Sequence, residues 1–120
     1  MTASRRSLLG LAMLVVSVVV LSSWWAGRSE RALGTRVAGL AAPGDIRMLS
    51  SETCAICAVA RRWFIEHRVA YSECLIESDA ACRAAFDALG ARGTPVLVVR
   101  GQPQLGFSPQ RLHSALQPRA

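Results

Sequence analysis

The stretch Thr53-Cys54-Ala55-Ile56-Cys57 limits what this chain can fold into more than any other. Upstream, Ile46-Arg47-Met48-Leu49 alternates in polarity behind Pro43-Gly44-Asp45, which predicts a short strand. Downstream, Ile56, Val59, Ala60, Trp63, Phe64 and His67 recur at three- and four-residue spacing, which predicts one apolar face of a helix over Cys54–Arg68. The two cysteines therefore sit where a strand feeds a helix N-terminus. Backbone N–H groups there lack intrahelical partners and carry partial positive charge. A thiolate is favoured in that place, so Cys54 is expected to have a lowered pKa and to be the better nucleophile. Cys57, under the same turn, can attack a mixed disulfide formed on Cys54. The same C-x-x-C is also half of a zinc or iron–sulfur site. Ala58 rather than His after Cys57 excludes a c-type haem attachment.

Gly93-Thr94-Pro95 opens a β-branched run, Val96-Leu97-Val98-Val99, that ends in Arg100-Gly101. Proline is tolerated at the first position of a strand. With these residues in place, and with Gly106-Phe107-Ser108-Pro109 backed by Leu112 and Leu116, the sequence from Asp45 to Leu116 resembles the glutaredoxin-like branch of the thioredoxin superfamily. The resemblance implies an α/β fold of order β-α-β-α-β-β-α around a mixed four-stranded sheet. It implies that Cys54 and Cys57 are catalytic, that no cofactor is bound, and that the Cys54–Cys57 disulfide is the redox group. It further implies a cis Thr94-Pro95 bond beside the cysteines, with the Thr94 backbone pairing to an extended substrate chain. Gly106 and Phe107 complete the implied substrate-binding set, the glycine letting a thiol partner approach the backbone; no metal site is expected.

The sequence departs from glutathione-using glutaredoxins in three places. Gly106 is followed by Phe107 rather than a second glycine and an Asp-type residue, Ser50-Ser51-Glu52 supplies no basic residue before Cys54, and Ala55-Ile56 replaces Pro-Tyr. These differences argue against glutathione as the dedicated reductant. The Gly-Phe-x-Pro pattern is similar to redoxins served by a thioredoxin-reductase-type enzyme. A protein thiol or disulfide is the expected substrate and a separate reductase the expected electron source.

The rest of the domain follows from local signals. Val69–Ile76 predicts a second strand, parallel to the first because a helical crossover joins them. Asp79 predicts the cap of a helix over Ala80–Leu89 ended by Gly90. Val96–Val99 and Gln104–Leu105 predict a hairpin around Arg100–Pro103, and Ser108-Pro109 starts a last helix to Leu116. Cys74 and Cys82 both fall on expected inward positions. They are either two core-filling thiols, a second disulfide, or a second dithiol passing electrons to the first. His67 and His113 read as surface or core-edge residues, and Glu66 and Glu77 as solvated.

Ser7 to Gly27 holds no ionisable side chain, about enough to span a bilayer. Arg5 and Arg6 precede it, and Trp24-Trp25 at its far end suit an interface belt. The expected organisation is an anchor over residues 1–27, a linker over 28–44 and the redox domain over 45–120. A cleaved signal is the alternative, disfavoured by tryptophans where small residues are wanted. The formal charge of +6 divides into +4 for residues 1–44 (five Arg, one Glu) and +2 for residues 45–120 (nine Arg, seven acids). Basicity thus clusters about the membrane segment, and the domain has no basic block interleaved with aromatics, so nucleic acid is not an expected partner. A single pass through a bacterial inner membrane with the domain on the periplasmic side is expected; a cytoplasmic domain, or export after cleavage, are the alternatives. The competing function on this fold is a tethered metal- or cluster-binding assembly factor, and a third is a redox-inert interaction module.

Overall fold

The two strands at the centre of the sheet are also its most apolar. In this computed structural model, which describes residues 4–118, β1 (Ile46–Ser50) and β3 (Val96–Val99) lie side by side and antiparallel, with Leu49 opposite Val96 and Ile46 opposite Val99. The edges are β2 (Ser72–Leu75), parallel to β1, and β4 (Gln102–Leu105), antiparallel to β3, giving the order β2-β1-β3-β4. Strand alternation divides the inward residues between two faces. Ile46, Met48, Leu97 and Val99 are buried on one, against α2 (Ala55–Glu66), α4 (Pro109–Leu116) and the end of α1 (Arg5–Leu40). Leu49 and Val96 are buried on the other, against Cys82 and Phe86 of α3 (Ala80–Ala88). This is the mixed four-stranded α/β architecture expected from the sequence.

The chain divides after Ala32 into two units. The first is helical from Arg5, and α1 is long and apolar enough to cross a membrane. Its hydroxyls are satisfied within the helix: Ser17 donates to the Met13 carbonyl at 2.8 Å and Ser22 to that of Val19 at 3.0 Å. Such pairing suits an apolar surround, which offers hydroxyls no other partner. The Arg28 guanidinium lies 4.5 Å over the Trp24 ring.

The second unit begins at Leu33, inside the stretch 28–44 that the sequence suggests as a linker. The helix continues to Leu40, with Val37 fully buried and Leu33, Ala38 and Leu40 packed on the same core. Leu33, Val37 and Leu40 are spaced as a helical stripe, and burial of that stripe outweighs the poor helix propensity of Gly34 and Gly39. Gly34 has its own reason: a Cβ there would collide with the His67 ring. The first three and last two residues of the expected anchor and redox domain lie outside the described residues.

Three further differences concern phase and length. Ile56 and Val59, expected on the inner face of α2, are exposed; the buried stripe is Cys57, Ala60, Trp63 and Phe64. The second strand is shorter than expected, Ser72–Leu75, because Val69 turns into the core and Tyr71 stacks on Phe64 at 4.6 Å. Conversely β4 is longer: Gln102 and Pro103 pair with Val99 and Val98, and the turn is only Arg100-Gly101. Both turn residues have left-handed φ, 48° and 83°, as a two-residue hairpin of matching twist requires.

Candidate active site

At the C-terminal end of β1 the chain crosses Ser51–Thr53 and starts α2, and the cap of that helix is a sulfur. Cys54 has extended backbone angles (φ −96°, ψ 108°), and its Sγ accepts from the Cys57 N–H at 3.0 Å. A Ser or Asp normally does this. Here the orphan amide points at the reactive atom itself, so the thiolate that forms on reduction has a hydrogen-bond donor already aimed at it. Cys54 is partly exposed and Cys57 fully buried. The two are joined in a disulfide, with Cα atoms 5.2 Å apart. One sulfur accessible and its partner shielded is the arrangement that directs an incoming thiolate to Cys54.

Strand register brings the other expected residues to the same end of the sheet. Val96 pairs with Leu49, so Pro95 lies one step further out, level with Ser50. The Thr94–Pro95 peptide is cis and Pro95 is fully buried. Gly106 (φ 78°) donates its N–H to the Pro95 carbonyl at 2.9 Å. Phe107 turns to the aromatic cluster instead, edge-on to Trp63 and Phe64 at 5.6 Å each. Its packing anchors the segment after β4 to α2.

Two polar arrangements escaped the sequence reading. Glu77, expected to be solvated, accepts from the Ser51 hydroxyl and, at 3.3 Å, from the Glu52 N–H. The Cys54 N–H in turn donates to the Ser51 carbonyl. Glu77 thereby pins the segment that delivers Cys54, and the Ser51 hydrogen bond holds its carboxyl below the usual range, with Glu52 and Arg83 adding to it. Ser50, fully buried at the end of β1, donates to Glu73 at 2.7 Å, and Arg61 of α2 grips the same carboxylate through two nitrogens at 2.8 and 2.7 Å. The Arg61 hydrogen bond chiefly lowers the Glu73 pKa, Ser50 assisting, and raises that of Arg61. Burial, then the Glu73 charge, pushes the Tyr71 hydroxyl up. Register was the available signal, since Glu73 lies beside Met48 and shares its face.

Cys74 and Cys82 are also joined in a disulfide, with Cα atoms 6.0 Å apart, tying edge strand β2 to the first turn of α3.

The glutaredoxin family model matches residues 46–103. Those residues form a glutaredoxin-like domain on a thioredoxin-like fold. Two structures of the thioredoxin-like protein BC3987 agree with this glutaredoxin-like domain: a point mutant, 26% identical with TM-score 0.55, covering 61% of this chain and 95% of its own, and the unmutated protein, 25% identical with TM-score 0.52, covering 58% and 97%. The glutaredoxin of Archaeoglobus fulgidus, 16% identical over 62% of this chain and 87% of its own, shares the fold at TM-score 0.51. No curated protein matches the sequence. A glutaredoxin-like domain carrying a Cys54–Cys57 disulfide supports thiol–disulfide oxidoreductase function.

Proposed function

We propose that the protein is a membrane-tethered thiol–disulfide oxidoreductase that exchanges electrons with protein disulfides through Cys54 and Cys57. The observation that carries this reading is the sulfur cap, the Cys57 N–H aimed at Cys54 Sγ. In the reducing direction the Cys54 thiolate attacks a substrate sulfur and displaces the other as a thiolate. Cys57 then attacks Cys54 Sγ, releasing the reduced substrate and leaving the Cys54–Cys57 disulfide, which an upstream dithiol reductase reopens. Thr94 and Pro95, at the sheet end where Cys54 emerges, bind the extended substrate chain beside it, and Gly106 leaves room for the partner backbone. Residues Ser7–Gly27 hold the protein in a bacterial inner membrane with the domain on the periplasmic side, a location that also suits two disulfides.

The test is a Cys57→Ser variant in the full-length protein, probed on non-reducing gels. It is expected to accumulate mixed disulfides through Cys54 that disappear in Cys54→Ser/Cys57→Ser. No trapped species, together with about one equivalent of zinc or iron lost on Cys54→Ala, would overturn the proposal in favour of a metal-binding factor.

A further inference from the structure

The second disulfide is built with the asymmetry of the first. Cys82 is fully buried and occupies the third residue after the α3 cap, as Cys57 does after the α2 cap. Cys74 is partly exposed, like Cys54. It lies on β2, the strand at the open edge of the sheet, where another chain can reach it. A sulfur buried on both sides would be an inert crosslink; this one is not.

A cation also faces it. Arg47 projects from β1 to the same side of the sheet as Cys74, and its Nη2 lies 3.6 Å from Cys74 Sγ. The neighbouring acids are engaged elsewhere. Glu73 is on the opposite face with Ser50 and Arg61, Glu77 holds Ser51 and Glu52, and Asp79 accepts from the Cys82 N–H at 3.1 Å. Among the described residues no ion pair competes for Arg47. A guanidinium against an accessible sulfur stabilises the thiolate of that sulfur.

We infer that Cys74–Cys82 is a second thiol–disulfide exchange site, entered at Cys74 from the β2 edge, with Arg47 stabilising the Cys74 thiolate. It stands apart from the Cys54–Cys57 reading and does not require it. A dithiol reductant supplies the electrons. Its first thiolate attacks Cys74 Sγ, the Cys74–Cys82 bond breaks, and Cys82 leaves with the electron pair and takes up a proton. The second thiol of the reductant then attacks its own first sulfur in the mixed disulfide. Cys74 departs as a thiolate beside Arg47, and the reductant leaves as a disulfide.

Trypsin separates the two pairs, because Cys54 and Cys57 fall in Met48–Arg61 and Cys74 and Cys82 in Val69–Arg83. The full-length folded protein in detergent is titrated with dithiothreitol, quenched, alkylated and mapped by mass. The expected result is native-state opening of the Val69–Arg83 peptide, with Cys74 labelled before Cys82. Arg47→Gln is expected to shift the pH midpoint for alkylation of reduced Cys74 upward by about one unit, an approximately tenfold loss of rate at neutral pH. Arg47→Lys is expected to restore most of it, which a structural role for Arg47 would not. A peptide that stays bridged until the protein is denatured would overturn the site. An unchanged pH profile in Arg47→Gln would overturn the role of Arg47. Failure of the first pair would register only in Met48–Arg61, or in Val37–Arg61 for Arg47→Gln, which lacks the cleavage site before Met48.

Discussion

Helices α2 and α3 start alike and differ in the group that caps them. Each has an extended cap residue whose side chain accepts from the N–H three positions on, at 3.0 Å in α2 and 3.1 Å in α3, and in each that third residue is a fully buried cysteine. In α3 the acceptor is the Asp79 carboxylate, an ordinary cap, and the cysteine bonds away to β2. In α2 the acceptor is the Cys54 sulfur, and the cap and the cysteine bond to each other. A capping site becomes a reactive site when a sulfur replaces the oxygen, because the amide that stabilises the helix then also stabilises a thiolate.

The largest effect should come from turning the first site into the second. Cys54→Asp keeps an acceptor for the Cys57 N–H while removing the nucleophile, so insulin- or peptide-disulfide reduction should fall about a thousandfold or more, with the helix intact by circular dichroism. Loss of less than tenfold would break the comparison and move the nucleophile elsewhere, Cys74 first. Next in size, Cys74→Ser/Cys82→Ser opens the nine-residue ring between β2 and α3. Urea denaturation should register a loss of about 2–3 kcal/mol on the chain-entropy account. Removing the α3 cap alone, with Asp79→Ala, should cost about 1 kcal/mol and leave Cys54 alkylation unchanged.

The smallest effect concerns a feature of the α2 face for which α3 has no counterpart, the Ser50–Glu73–Arg61 set. The Glu73 pKa is lowered in the folded state, chiefly by Arg61. Its stabilisation is therefore complete above the unfolded value near 4.5 and is lost as pH falls through the lower folded value. Arg61 is 39% exposed and the carboxylate 20%, so solvent discounts the pair to about 0.5–1 kcal/mol. Thermal melts between about pH 5 and pH 3 should show the wild type losing more stability than Glu73→Gln. Parallel curves would mean that the pair contributes nothing.

Element order was readable because its signals are local: Asp79 and Ser108-Pro109 as caps, Gly90 as a stop, Pro95 opening a strand. The phase of α2 was not. Apolar residues stand at 56, 57, 59, 60, 63 and 64, so two stripes fit, and only burial of Cys57 selects one. The role of Leu33–Leu40 was hidden for a related reason, since its stripe is short and broken by glycine, and only the core it meets gives it meaning. At the site, the cysteines could be named from their spacing and Pro95 from the family resemblance. Glu77 and Arg47 could not, because their partners, Ser51 and Cys74, lie 26 and 27 residues away. Charged side chains at such separations carry no periodicity to read.

The hairpin turn has a consequence for where this chain can be cut. Arg100 donates to the carbonyls of Leu116 at 3.0 Å and Leu40 at 3.3 Å and pairs with Asp45, so one guanidinium closes the ends of α4 and α1 together. A fragment begun at Pro43 would strip Val37 from the core and leave Arg100 with one carbonyl fewer. A protease given the intact protein should find its first clean product starting near Leu33, well inside the stretch 28–44 expected to be a linker.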